Sequence, residues 1–209
     1  MRKVTIIVIL LIIVGAFWFV KKDKEVVTEK TTTTYKNSSL NVSFDYPKTL
    51  TVKTVGGVIT LHHDIAYENH GDCDMVGDEK TYPKLTDFKV TIQKTKTGLV
   101  DTMKNMSPYI PQENFINNTV VPSPGFIDEF KSGKLLGFVI YEGAEGCGQT
   151  TYYFPINNNE TLVINKASIQ ILSGVIVGDK VNEVLAVPGV ISKEQSESIF
   201  DSILKTLKI

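Results

Sequence analysis

The strongest constraint on this chain is an uncharged apolar run near its N-terminus. The run covers positions 4–20, which is 17 residues. As an α-helix it would be about 25 Å long, against a bilayer hydrocarbon core of about 30 Å. Phe17, Trp18 and Phe19 at its far end are typical of an aromatic belt at a membrane interface. The run therefore predicts one N-terminal transmembrane helix.

The segments around this run predict a single-pass cell-membrane protein. Residues 1–3 would be a cytoplasmic stub, residues 4–20 a transmembrane signal anchor, residues 21–37 a polar linker, and residues 38–209 an exported domain. The flanking charges do not decide the orientation. We expect the domain outside the cytoplasm because long domains are translocated largely regardless of charge. A cleaved signal peptide is the alternative, since Val14, Gly15 and Ala16 are small enough for a signal peptidase.

The charge of the exported part limits its partners. After residue 24 the chain has 17 basic and 22 acidic residues, a net charge of −5. Phosphate backbones and anionic lipid surfaces attract basic patches rather than acidic ones. We therefore expect no nucleic-acid partner, and contact with the lipid bilayer through residues 4–20.

Hydrophobic alternation predicts a β-rich domain. Leu40, Val42, Phe44 and Tyr46 alternate with polar residues and stop at Pro47. Apolar and β-branched residues predict further strands at positions 50–54, 58–62, 88–92, 134–141, 150–154 and 161–166. Strands 50–54 and 58–62 flank two glycines, which is typical of a hairpin.

Helical patterns are few. Ser192 and Gln195 have the spacing of a capping box, and Phe200 and Leu204 continue one apolar helical face. A shorter helix is predicted within residues 97–106. Parallel strands would need more crossover helices than this. The fold class is therefore α+β, an antiparallel sheet flanked by a few helices.

Two terminal segments of the domain carry a family resemblance. Residues 35–47 and 199–209 resemble the first strand and the last helix-plus-strand of PsbP-like domains. The likeness covers about a tenth of the chain, and its matching positions are packing residues. The resemblance implies a central antiparallel sheet flanked by helices, in a family used mostly as extracytoplasmic binding or assembly modules. It transfers no functional residue.

The two cysteines, Cys73 and Cys147, are the simplest candidate for a structural link. Each lies in a predicted loop, and Cys147 stands between glycines with Glu142 close by. In an oxidising compartment two cysteines usually pair. We therefore expect a Cys73–Cys147 disulfide, with the nearby histidines as solvated loop residues.

A metal site is the competing interpretation of the same region. His62, His63, His70 and Asp72 lie close together in sequence and carry donors that Zn²⁺ or Cu²⁺ accepts. A site that used the cysteines would need them reduced, so the histidines and carboxylate would have to act without them. His62 and His63 would also point to opposite faces of a strand. The expected cofactor is therefore none, with Zn²⁺ or Cu²⁺ as the alternative.

No catalytic motif is recognisable. The chain lacks Gly-x-Ser-x-Gly, His-Glu-x-x-His and the phosphate-binding glycine loops. Cys147 with His70 as base would require a free thiol. The sequence therefore predicts no catalytic residue and a non-catalytic binding or assembly module. A metal-binding domain and a cell-envelope hydrolase are the alternatives. Five tyrosines could line a groove for a protein, peptide or glycan, or could simply pack on the sheet: Tyr67, Tyr82, Tyr109, Tyr152 and Tyr153.

Overall fold

The computed structural model describes residues 31–71, 73 and 80–209. The predicted stub, the anchor at 4–20 and the linker as far as residue 30 lie outside these residues. Among the described residues, no helix has the length and apolar character needed to cross a bilayer. Residues 32–209 form one compact unit.

The described chain has more residues in β-strands than in helices, and its strands pair antiparallel, which confirms the α+β class. The strands are β1 (Thr32–Asn37), β2 (Val42–Pro47), β3 (Thr51–Val55), β4 (Val58–Ile65), β5 (Leu85–Thr95), β6 (Phe115–Ile116), β7 (Thr119–Val120), β8 (Ile127–Ser132), β9 (Leu135–Glu142), β10 (Gln149–Asn157) and β11 (Glu160–Ala167). The α-helices are α1 (Leu99–Met106), α2 (Asp179–Leu185) and α3 (Lys193–Thr206).

The main sheet is antiparallel and has the strand order β3-β4-β5-β11-β10-β9-β8. The meander β8–β11 folds back so that its last strand pairs with β5 in the centre of the sheet. This pairing brings the end of β4, the start of β5, the end of β11 and the β9–β10 turn to one end of the sheet. We call it the disulfide end, because Cys147 lies in the β9–β10 turn.

Two hydrophobic layers cover the two faces of the sheet. On one face α3 and the β1–β2 hairpin pack against β4, β5 and β11, and the buried residues include Phe44, Leu61, Ile164, Phe200 and Leu204. On the other face α1 packs against β9–β11, and the buried residues include Val100, Met103, Ile140, Tyr153 and Val163. A smaller cluster lies beyond the end of β4 and contains Ile65, Leu85, Ile169, Leu172 and Val184.

Most predicted elements are confirmed, and one prediction is wrong in part. Residues 32–37, which the sequence analysis assigns to the polar linker, form β1 and pair with β2. The threonines there are β-branched, and β-branched residues suit a strand. The ring of Tyr35 stacks on that of Phe44, with centroids 5.1 Å apart. The sequence analysis also misses β8, α2 and the short β6–β7 hairpin.

Candidate ligand-binding site

A disulfide between Cys73 and Cys147 joins two loops at the disulfide end of the sheet, as the sequence predicts. The loop that carries Cys147 turns very tightly. Gly148 has φ +97°, and a Cβ at this position would lie 2.1 Å from the carbonyl oxygen of Glu142. Only glycine fits such a backbone without displacing its neighbours. The glycines around Cys147 therefore serve to hold its loop against the strand.

The Cys147 loop is also fixed to the chain that follows β11. The N–H of Ser168 donates to the carbonyl of Gly148 at 2.9 Å, and the Gln170 side-chain amide donates to the carbonyl of Glu145 at 3.1 Å. The disulfide therefore connects the β4–β5 loop to a turn that is already held in place.

A cleft of about 200 Å³ lies beside this link. One wall comes from the β4–β5 loop and the other from the segment between β11 and α2. Its apolar lining consists of Leu85, Ile171 and Ile176. Its remaining lining is polar or charged and consists of Tyr67, Glu68, Asn69, His70, Gly71, Gln170 and Lys180. A concave surface with an apolar lining and a few polar groups is the usual form of a ligand site.

Asn69 holds the loop wall of the cleft in shape. Its backbone forms a β-bridge with Tyr82, with N–H to carbonyl distances of 3.0 and 2.7 Å. Its side-chain amide donates to the carbonyl of Lys84 at 2.8 Å, and its side-chain oxygen accepts from the N–H of Gly71 at 2.8 Å. The wall is therefore built from hydrogen bonds as well as from the nearby disulfide.

Tyr67 contributes a neutral hydroxyl to the cleft. Burial, followed by the negative charge of Glu183 and a hydrogen bond to it, raises the pKa of Tyr67. The phenol therefore stays protonated at neutral pH and donates its proton to Glu183, so that its oxygen is left as an acceptor for a ligand.

An apolar loop borders the cleft between Gly174 and Gly178. Ile176 lines the cleft, whereas Val175 and Val177 are 57% and 91% exposed. Two valines this exposed on one short loop are available for contact with a partner. The sequence analysis did not identify this loop, although a run of apolar residues between two glycines was visible in the sequence.

The structure separates the predicted metal ligands. His63 Nδ1 lies 2.7 Å from Asp87 Oδ1, His62 Nε2 lies 3.7 Å from Asp64 Oδ2, and His70 lines the cleft. Asp72 lies outside the described residues. Where the structure describes the chain, no three His, Cys, Asp or Glu side chains converge on a place that could hold a metal ion. The three histidines therefore do not form a common site, and a site that includes Asp72 stays a prediction.

Asp87 is a buried carboxylate that no sequence motif singles out. It is 1% exposed. Its Oδ1 accepts from His63 Nδ1, and its Oδ2 accepts from the backbone N–H of Ile191 at 2.7 Å. The tautomer of His63 that carries its proton on Nδ1 fits this contact, because a carboxylate accepts hydrogen bonds. The pair connects the end of β4 to the segment that leads into α3.

Glu142, at the end of β9, organises a second polar cluster. Its Oε1 accepts from Ser107 Oγ at 2.7 Å and from the Tyr109 hydroxyl. Its Oε2 accepts from Gln149 Nε2 and Thr151 Oγ1, both at 2.7 Å. This carboxylate is saturated by protein donors.

The tyrosine groove considered from the sequence does not form as one surface. Tyr153 is fully buried, and its hydroxyl pairs with Ser107 Oγ at 2.8 Å. Burial is the main reason that the pKa values of Tyr152 and Tyr153 are both raised to about 12. Tyr67 lines the cleft, whereas Tyr109 is exposed near Phe126. Of these tyrosines, Tyr67 is the one with a place in the candidate site.

No family model matches the chain, and no curated protein matches it.

Proposed function

We propose that the chain is a membrane-anchored, extracytoplasmic, non-catalytic module that binds a peptide segment of a partner protein. The observation that carries the proposal is the cleft beside the Cys73–Cys147 disulfide. Disulfides persist in oxidising compartments and are rare in the cytosol. The uncharged run at 4–20 supports the membrane anchor. The resemblance to PsbP-like domains agrees with an exported binding module.

The chemistry of the cleft favours a peptide over a glycan. Its volume suits one apolar side chain, which Leu85, Ile171 and Ile176 would surround. Glu68 and Lys180 provide opposite charges for residues on either side of that anchor. Glycan sites commonly present flat aromatic surfaces, whereas the apolar lining here is aliphatic apart from Tyr67.

The nucleophile that the hydrolase alternative needs is already engaged. Cys147 is in a disulfide and is not a nucleophile in this state. His70, the base considered from the sequence, lines the cleft but has no free Cys147 thiol to activate. A catalytic pair requires a nucleophile within hydrogen-bond reach of its base. These contacts support binding rather than covalent catalysis.

A peptide-display selection on the oxidised full-length protein tests the binding role. We expect enriched peptides to share one apolar residue flanked by charged residues. Ile176→Asp places a charge in the cleft and should weaken the selected peptide at least about tenfold. Val55→Asp is the matched control, because Val55 is 76% exposed at the end of β3 and pairs with the start of β4, whereas the cleft lies beyond the other end of β4. A selection without consensus, or equal binding by the two variants, contradicts the proposal.

The location is tested separately in intact cells. A membrane-impermeant protease should digest the domain without lysis, and a thiol reagent should label the two cysteines only after reduction. Protection from the protease together with free thiols would overturn the extracytoplasmic assignment.

A further inference from the structure

A second hollow, which we call the anion cavity, opens at the disulfide end of the sheet where α3 begins. Its volume is about 170 Å³. The end of β11, the start of β10 and the first turn of α3 surround it. A buried water needs only about 10–15 Å³, so there is room for a small ligand and its water. This cavity is lined by residues different from those of the cleft, so the inference does not rest on the proposed function.

Two lysines line the anion cavity. Lys166 comes from the end of β11 and Lys193 from the start of α3. The Nζ atom of Lys193 lies 3.8 Å from the Cβ position of Gly174, so its side chain reaches across toward the loop after β11. Burial, and in smaller part the positive charge of Lys193, lower the pKa of Lys166. Lys166 is partly buried and Lys193 is exposed, and two ammonium groups that line one cavity are stabilised by an anion between them.

Three hydroxyl groups complete the donor set. Thr150, Ser168 and Ser196 line the cavity from β10, the end of β11 and α3. Within the described residues, none of their hydroxyls bonds to another protein group. The other two serines of the lining are occupied: Ser173 bonds within its own loop, and Ser192 caps α3. The donors of the cavity are therefore side chains, and the helix N-terminus is already capped from within the chain.

The acidic groups of the lining leave this donor set available. Both oxygens of Asp87 accept hydrogen bonds, from His63 and from the N–H of Ile191. Glu197 is exposed and acts on Lys166 as a neighbouring negative charge, together with Asp201. An anion between the two lysines would compete with Glu197 for Lys166, and Lys193 adds the second positive charge.

We propose that the anion cavity binds a phosphate group. Lysine is a common phosphate ligand and binds it as a point charge, whereas the planar fork of arginine suits carboxylate and phosphate alike. The cavity has two lysines and no arginine, because the one arginine of the chain is Arg2. The three hydroxyls approach from three elements, and the several oxygens of a tetrahedral anion accept from all of them at once.

Calorimetric titration of the full-length protein with inorganic phosphate tests the proposal, at constant ionic strength set with chloride. We expect saturable binding with a dissociation constant at or below about 1 mM. Lys166→Met and Lys193→Met should each weaken it at least about tenfold, the usual effect of losing a charge-assisted hydrogen bond. Lys205→Met is the matched control: it is an exposed lysine on the same helix, about 18 Å along its axis from Lys193.

Further arms make the outcome decisive. Ser168→Ala with Ser196→Ala keeps both charges and should also weaken phosphate binding, which covers the case that a lysine variant does not fold. Acetate should bind more weakly than phosphate. If glycerol 3-phosphate binds more tightly than phosphate, the bound group belongs to a phosphate ester. If the two bind with equal affinity, the ligand is the free ion. Absence of saturable binding, equal binding of acetate, or an equal effect of Lys205→Met would overturn the proposal.

Discussion

At the scale of single residues, Glu142 shows how one carboxylate can fix several segments. Its partners come from the chain after α1, which supplies Ser107 and Tyr109, and from β10, which supplies Gln149 and Thr151. Ser107 is fully buried, so its hydroxyl could not bond to water if it lost its contact with Glu142. Buried polar groups are costly when they lose their partner and nearly neutral when they keep it. The role of Glu142 is therefore structural.

The change Glu142→Gln tests this role. One acceptor oxygen is retained, but the two donors that face the other position would then meet an N–H₂ group. Each buried donor left unsatisfied costs about 1–3 kcal/mol, so we expect a loss of about 2–4 kcal/mol in the free energy of unfolding. Urea unfolding measures it.

The control for this prediction lies in the neighbouring turn. Glu145 is exposed, and among the described residues its side chain forms no hydrogen bond. Glu145→Gln should change the free energy of unfolding by no more than about 0.5 kcal/mol. Equal effects of the two changes would mean that the Glu142 cluster contributes no more than surface charge.

At the scale of elements, two sets of hydrogen bonds fix the start of α3. A capping box joins Ser192 and Gln195, in which the Ser192 hydroxyl accepts from the Gln195 N–H and the Gln195 side chain accepts from the Ser192 N–H. One residue earlier, the N–H of Ile191 donates to the buried Asp87. The capping box is local, whereas the hydrogen bond between Ile191 and Asp87 connects the helix to β5.

We predict that the contacts of Asp87 contribute more to the stability of the domain than the capping box does. Ser192→Ala should cost about 1 kcal/mol, which is typical of a lost N-cap. Asp87→Ala leaves both His63 Nδ1 and the Ile191 N–H without an acceptor in the interior, so about 2–5 kcal/mol is expected. Chemical unfolding gives both values, and hydrogen exchange of the Ile191 amide should accelerate in the second variant.

Ser202→Ala is the control on the same helix, since Ser202 is exposed and should change stability by no more than about 0.5 kcal/mol. A larger loss from Ser192→Ala than from Asp87→Ala would contradict the ranking.

These two sets of hydrogen bonds also illustrate what could be predicted from the sequence. The capping box and the apolar face that contains Phe200 and Leu204 lie within one segment, so α3 was predictable. The partner of Asp87 is 104 positions away, and no local pattern indicates it. α2 was missed because it is short and its N-cap residue, Gly178, has no side chain to cap it. β1 was missed because its polar threonines acquire a strand role only by pairing with β2.

The same reasoning applies to the candidate sites. The cleft combines residues 67–71 with residues 170–180, and the anion cavity combines Thr150, Lys166 and Lys193. The sequence spacing between such segments does not predict that they meet in space. Their proximity follows only from the strand order. The disulfide was predictable because the chain has two cysteines, which leaves one intramolecular pairing. His70 was singled out as a metal ligand, whereas the structure places it in the lining of the cleft.

At the scale of the whole molecule, both proposed ligand sites lie at the disulfide end of the sheet. The β4–β5 loop, the β9–β10 turn and the chain after β11 meet there, and the cleft and the anion cavity both open among them. The rest of the sheet is covered by the two hydrophobic layers. A long loop that carries a ligand site must be held in place, and the Cys73–Cys147 bond provides this constraint.

Removal of this bond is expected to cost a large share of the stability of the domain. The two cysteines are 74 positions apart. In the chain-entropy model a closed loop of this length is worth about 4–5 kcal/mol, against a usual net stability of about 5–15 kcal/mol. The double variant Cys73→Ser with Cys147→Ser, compared with the oxidised protein by chemical unfolding, should show this loss. Reduction of the natural protein should produce the same shift and should leave the double variant unchanged, which separates the bond itself from the two substitutions. Equal unfolding midpoints for the oxidised protein and the double variant would show that the β4–β5 loop is held by its hydrogen bonds alone, and that the cleft does not depend on an oxidising environment.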